Sequence, residues 1–249
     1  MTMGLQKGYA LSQIFCASFL SFLGEVKGKG CLRLIYRLSG HHPKVPTAIR
    51  DCLQEHECLP YLCGILDAVI YIHSIGVIHR DIKPENMMID NNNEIQLIDF
   101  GSSLVFESRD NDKVRGTIGT PAFLAPECVQ DTGEAYSGKK ADIWAVGMTL
   151  ALMLTGKLPY DGLTKYDVIE AIRTKPLNIK ESELFGCINT HAIEFLTNAL
   201  NRNPKERLDA LQLKVRLFNS PHFLAVSLSK LINKMKHGFK LDADREVWN

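Results

Sequence analysis

No C-x-x-C pair occurs among the seven cysteines of this 249-residue chain, which stand at positions 16, 31, 52, 58, 63, 128 and 187. An odd, scattered set argues against both a zinc site and a disulfide framework, so reduced thiols are expected. An excess of one charge is also lacking: 29 Lys and Arg against 28 Asp and Glu leave a net +1. That balance gives no bulk attraction to nucleic acid or to an anionic membrane, and neither is expected as a partner. The apolar run Ile143 to Leu154 is too short to span a bilayer. A second apolar stretch, Tyr9 to Leu23, is broken by Ser12, Gln13, Ser18 and Ser21 and is followed by no small-residue cleavage site, so no secretory leader is expected. Repeats and low-complexity segments are absent beyond Asn91-Asn92-Asn93, which reads as a turn. What remains is an ordinary globular composition, 45% apolar and 23% charged, long enough to bury a sizeable core. The cytoplasm, or else the nucleus, is the expected compartment.

The periodicities indicate an α+β chain. Cys31 to Leu38 is β-rich and reads as a strand, broken by Ser39-Gly40. A Pro-containing stretch then leads into a short helix. From Leu62, the apolar positions Ile65, Leu66, Val69, Ile70 and Ile72 follow helical spacing up to Gly76. Val77 to Asn86 reads as a strand followed by a loop, and Met87–Ile89 with Ile95–Ile98 as a small hairpin. Asp142 to Leu154 is apolar on almost every face, which predicts a helix at the centre of a helical lobe. Further helices are expected over 165–173, 191–200 and 208–218.

The chemistry is concentrated in the loops. His79-Arg80-Asp81-Ile82-Lys83-Pro84-Glu85-Asn86 is followed, thirteen residues after Asn86, by Asp99-Phe100-Gly101. A proton acceptor, a lysine, an amide and a second carboxylate are the set needed to pass the γ-phosphoryl group of ATP to a hydroxyl. A lone Asp would read as a cap or turn carboxylate; the four together read as catalysis. With Gly119-Thr120-Pro121-Ala122-Phe123-Leu124-Ala125-Pro126-Glu127 and Asn203-Pro204-Lys205-Glu206-Arg207, the chain resembles a eukaryotic protein kinase of the serine/threonine type from about residue 31 to residue 224. The resemblance implies a protein-kinase-like fold with a mostly helical C-lobe.

It also implies roles. Asp81 would accept the substrate proton, Lys83 neutralise the transferring group, and Thr120 bond toward both. Asn86 and Asp99 would hold Mg2+. His79, Arg80, Asp142, Glu127 and Arg207 would be architectural: His79 packing near Phe100, Arg80 receiving negative charge from the activation segment, Asp142 holding the catalytic-loop backbone, and Glu127 pairing with Arg207. Thr117 is a candidate phosphorylation site. Leu34-Ile35-Tyr36-Arg37-Leu38-Ser39, the proline-bearing His42 to Thr47 and Thr117 to Phe123 are most similar to the calcium/calmodulin-dependent kinase kinase group. That likeness implies a protein substrate that is itself a kinase. It also implies that Arg37 and Leu38 present backbone to adenine and that Met88 packs beneath the base.

The family pattern calls for a glycine-rich loop, a strand lysine and a helix glutamate before the hinge strand. Gly28-Lys29-Gly30 is followed by Arg33 where a third glycine belongs, and Lys27 and Lys29 stand in no Val-Ala-Ile-Lys setting. The expected organisation is therefore an unmatched segment over 1–17, a remnant of N-lobe strands and hinge over 18–40, the C-lobe over 41–224 and a tail over 225–249. Two expectations follow: a kinase whose N-terminal lobe is largely missing from this sequence, or a pseudokinase-like scaffold that docks substrates without turnover. In the tail, Leu228, Leu231, Ile232, Met235 and Phe239 against Lys230, Lys234, Lys236 and Lys240 form a basic amphipathic pattern over 228–240, expected first as a solvated terminal helix packing on the lobe and otherwise as a calmodulin-binding or autoinhibitory segment.

Overall fold

The structure, a computed structural model, describes residues 53–89, 95–106, 111–130 and 132–219. The expected hinge with Arg37 and Leu38, the N-lobe remnant and the 228–240 segment lie outside these residues.

Helix α1 spans Glu55–Ser74 and starts seven residues earlier than the apolar spacing from Leu62 predicts. A capping box explains the early start: Gln54 N donates to Glu57 Oε2 at 2.9 Å. Pro60 therefore lies inside the helix, where it removes one backbone bond near the first turns. The burial of Cys58, Leu62, Ile65, Leu66, Val69 and Ile72 on one face outweighs that loss. Gly76, at φ 79°, then turns the chain into β1 (Val77–Ile78).

The loop after β1 leads to β2 (Met87–Ile89), which pairs antiparallel with β3 (Ile95–Leu97) in the register Met87↔Leu97 and Ile89↔Ile95. Strand β4 (Leu104–Val105) returns to β1. β5 (Lys113–Val114) pairs with β6 (Tyr136–Ser137). Two-stranded ribbons are marginal alone; β1 and β3 both pack on α1, and β6 runs directly into the next helix.

Helix α2 (Gly138–Thr155) is the central element, buried from Asp142 to Ala151 without a break. It begins four residues before the predicted start because the Ser137 hydroxyl accepts from Lys140 N and caps it. Helix α3 (Lys165–Thr174) packs on the 3-10 turns Pro121–Phe123 and Pro126–Val129, α2 packs against α1 and α4 (Thr190–Ala199), and α5 (Ala210–Phe218) packs on α1 and α4. α2 meets α4 closely at Gly147. A Cβ there would stand 2.7 Å from Leu200 Cδ2 and 3.1 Å from Ala199 Cβ. Gly147→Ala should therefore be destabilising. Overpacking costs about 1–3 kcal/mol, against roughly 1 kcal/mol gained in helix propensity. A lowered urea midpoint with an unchanged slope would report it. No helix among the described residues is long and apolar enough to cross a membrane.

Candidate active site

The loop between β1 and β2 carries Asp81, Lys83 and Asn86, and two surrounding elements clamp it. From below, Asp142 of α2 is 1% exposed and accepts from His79 N (Oδ2, 2.9 Å) and Arg80 N (Oδ1, 2.9 Å). His73 of α1 also reaches Asp142 Oδ2, at 2.9 Å. Two backbone amides on one carboxylate hold Arg80 at φ 68°, a left-handed conformation that costs a non-glycine residue about 1–3 kcal/mol. The turn aims the next side chain, Asp81, away from the core.

His79 is fully buried, its ring 4.8 Å from that of Phe100. Nε2 donates to Ile98 O at 3.0 Å and Nδ1 accepts from Asp81 N at 3.3 Å. Both bonds suit one neutral tautomer. Burial pushes the His79 pKa below its ordinary 6.5, more than Asp142 and the Ile98 carbonyl raise it. A depressed folded pKa means the unfolded chain binds the proton better. This contribution to stability is therefore complete above about pH 6.5 and is lost as pH falls toward the folded value. The unfolding free energy from urea titration should drop between pH 7.5 and pH 5.5, by at most about 1.4 kcal/mol per pH unit from this group. A His79→Asn variant should lack that share of the slope.

Asp81 is ringed by donors. Oδ1 accepts from Thr120 N (2.9 Å) and Thr120 Oγ1 (2.7 Å); Oδ2 accepts from Lys83 Nζ (2.8 Å) and Asn86 Nδ2 (2.9 Å). Lys83 Nζ also donates to Thr120 Oγ1 at 2.5 Å. Partial burial pushes the carboxyl pKa up, but the bonds from Lys83 and Thr120 outweigh it and hold Asp81 below the usual carboxylate range. Asn86 is buried and also donates to Asp81 O at 2.8 Å. Its own backbone oxygen accepts from Ile98 N at 2.9 Å, which brings the hairpin exit, and so Asp99, beside it. Asp99 is exposed, at φ 60°, and accepts from Gly101 N at 3.2 Å. Among the described residues no group of three or more His, Cys, Asp or Glu could hold a metal. Met88 is half-buried on the face of its ribbon opposite the buried Met87 and Ile89.

From above, the segment 113–127 folds over the loop. Gly119 has φ 120°, and a Cβ on it would stand 2.5 Å from Arg80 O. Only glycine lets Thr120 come down onto Asp81. Gly119→Ala should therefore pull the two apart. A destabilisation of about 1–3 kcal/mol is expected, since that much strain and clash must be relieved there. A lowered melting temperature would check it. Arg80 Nε donates to Ser102 O, and Thr117 Oγ1 to Cys128 O at 2.7 Å. Glu127 pairs in two places with Arg207, at 2.6 and 3.0 Å.

These elements and this loop define a protein kinase. Residues 34–218 match the protein kinase domain, and the chain belongs to that family, as a serine/threonine kinase. It is 34% identical over 161 residues to a calcium/calmodulin-dependent protein kinase, cmkB, of Emericella nidulans, covering 64% of this chain and 39% of the relative. To the serine/threonine-protein kinase GRIK2 of Arabidopsis thaliana it is 36% identical, covering 63% and 37%. To the serine/threonine-protein kinase ppk34 of Schizosaccharomyces pombe it is 34% identical, covering 76% and 52%. The chain thus spans between about a third and a half of the length of these relatives.

Sequence reading found the motif residues but not His73, 69 positions from its partner Asp142. No local pattern marks a histidine on a helix as the partner of a distant carboxylate.

Proposed function

We propose that this chain transfers the γ-phosphoryl group of Mg-ATP to a serine or threonine hydroxyl of a protein. The observation that carries the reading is the convergence of Lys83, Asn86 and Thr120 on the one carboxylate of Asp81. In the transfer, the acceptor oxygen bonds to the γ-phosphorus, the β–γ bridging oxygen leaves with ADP, and the hydroxyl proton passes to Asp81. All four hydrogen-bonding positions of the carboxylate are filled, so an incoming hydroxyl must displace one donor. Lys83, on a flexible stem, is the one free to swing toward the phosphoryl oxygens, where it offsets their charge. A carboxylate this acidic is a weak base. That suffices where positioning and electrostatics supply most of the rate.

Asn86 and Asp99 suit Mg2+ by donor chemistry: one amide oxygen and one carboxylate, both hard. Mg2+ typically takes one or two protein carboxylates and completes its shell with phosphates and water. Held by these two side chains, the ion would supply positive charge to offset that of the phosphate oxygens. On the family resemblance, Met88 would contact the adenine, and Arg37 and Leu38, which lie outside the described residues, are its proposed hinge partners. The preferred substrate is another kinase, on the likeness to the calcium/calmodulin-dependent kinase kinase group. The 228–240 segment takes calmodulin in the presence of calcium, and the protein works in the cytosol or nucleus. Thr117 accepts phosphate only after its bond to Cys128 O opens.

The test is incubation of the full chain with labelled ATP and Mg2+, a generic basic protein and an inactive kinase as acceptors, followed by site mapping. Label on serine or threonine, abolished by chelation of Mg2+, is the expected result. Absence of transfer with a folded chain would replace this reading by the docking protein without turnover.

A further inference from the structure

Asp112 lies just before β5 and outside every motif used above, yet its contacts converge on the first turn of α2. Its backbone oxygen accepts from Gly138 N at 2.9 Å. Its Oδ2 accepts from Lys139 N at 3.1 Å and from the Ser137 hydroxyl. Ser137 Oγ in turn accepts from Lys140 N at 3.2 Å. The opening N–H groups of a helix have no partner within it and carry partial positive charge. Here Gly138, Lys139 and Lys140 are all served, two of them by Asp112. A carboxylate also suits that end of the dipole.

From this turn, two paths lead to Asp81. Along α2, Asp142 follows one turn after Gly138 and holds the His79 and Arg80 amides, with Arg80 in its left-handed conformation. Along the activation segment, the pairs Lys113↔Ser137 and Val114↔Tyr136 continue the anchor. The Tyr136 hydroxyl then donates to Gly116 O at 2.7 Å, Thr117 Oγ1 donates to Cys128 O, and Thr120 meets Asp81 from above. The lower clamp on Asp81 and the upper one share an origin.

We propose that Asp112 is a positioning residue for the phosphoryl-transfer centre. By capping α2 it sets where Asp142 stands beneath the catalytic loop, and through its ribbon it sets how Thr120 approaches Asp81. The catalytic meaning rests on the function proposed above; the coupling of the two clamps does not.

Hydrogen–deuterium exchange on the full chain, with steady-state kinetics on the same samples, tests it. In Asp112→Ala, amides of the catalytic loop around His79–Ile82 and of the segment 113–120 should exchange roughly five- to tenfold faster. Those of α4 and α5 should be unchanged. Turnover should fall by a similar factor at constant KM for ATP, and Asp112→Asn, which keeps an acceptor oxygen, should restore most of both. An ordinary helix cap would speed exchange only in the first turn of α2, leaving the catalytic loop and turnover at wild-type values, and that result overturns the proposal. Should Asp112→Ala loosen the whole chain, Ser137→Ala, which spares the Asp112 carboxylate bond to Lys139 N, decides: acceleration confined to the two clamps supports the proposal and uniform acceleration overturns it. A wild-type chain without turnover would overturn the phosphoryl-transfer reading instead, and the exchange pattern alone then decides the coupling.

Discussion

Asp81→Asn should lower the rate of phosphoryl transfer by roughly 10²- to 10⁴-fold, the range typical of removing a positioned acid–base group. The fold should survive. Asparagine keeps one oxygen for the two donors of Thr120, and what it loses is the ion pair with Lys83, the acceptor for Asn86 Nδ2 and a site for the hydroxyl proton. The loss should appear in kcat, with little change in the KM for ATP, because none of the groups proposed to hold the nucleotide is altered. The pH dependence follows from the direction of the Asp81 shift. Its carboxyl stays ionised to below the ordinary carboxylate range. Activity should therefore keep no acid limb from this group between pH 5 and 8, and the share of stability held in the Asp81 bonds is lost only as pH falls through the lowered folded value. Kinetics on the full chain with a melting curve for each variant would check this. A kcat within a few-fold of wild type would remove Asp81 from the chemistry.

Breaking the Glu127–Arg207 pair should be the most damaging single change to stability, and the two ways of breaking it should differ. The Arg207 side chain is 0% exposed and that of Glu127 12%. Arg207 also donates to Asn201 O at 2.9 Å and Lys140 O at 2.7 Å, and its guanidinium lies 5.1 Å from the Trp144 ring. Glu127→Ala leaves a buried cation without its counter-charge, and a cost of about 3–5 kcal/mol is expected. For a chain of this size that is a fall in Tm of roughly 6–20 °C, at about 2–4 °C per kcal/mol. Arg207→Met should cost less. The carboxylate it strands can still reach water, and the apolar chain can lie against Trp144. The order of the two melting temperatures is the decisive measurement; a larger loss for Arg207→Met would mean that its carbonyl bonds, not the charge pair, dominate. The pair ties the end of the segment that carries Thr120 to the helical lobe, so Glu127→Ala should also weaken transfer.

Local signals located most of the architecture. The unbroken apolar stretch 142–154 marks a central helix, and the positions from Leu62 to Ile72 mark the buried face of α1. Asn91-Asn92-Asn93 between β-rich runs marks the hairpin. The boundaries were less legible, because caps and not periodicity set them. Gln54 with Glu57 starts α1 before Pro60, and Ser137 starts α2 ahead of its apolar run.

The sequence by itself determined the family, because its motifs recur in a fixed order with Glu127 and Arg207. It also singled out the groups proposed for the chemistry, because Asp81, Lys83, Asn86 and Asp99 lie close along the chain at spacings set by two short loops. Only the tertiary structure decided what surrounds them. The left-handed turn at Arg80 stands on a carboxylate 62 residues away, His73 reaches the same carboxylate from another helix, and Asp112 caps a helix it does not belong to. Such contacts satisfy buried backbone donors by whatever acceptor the packing brings near. Nothing in a one-dimensional pattern records which one that will be.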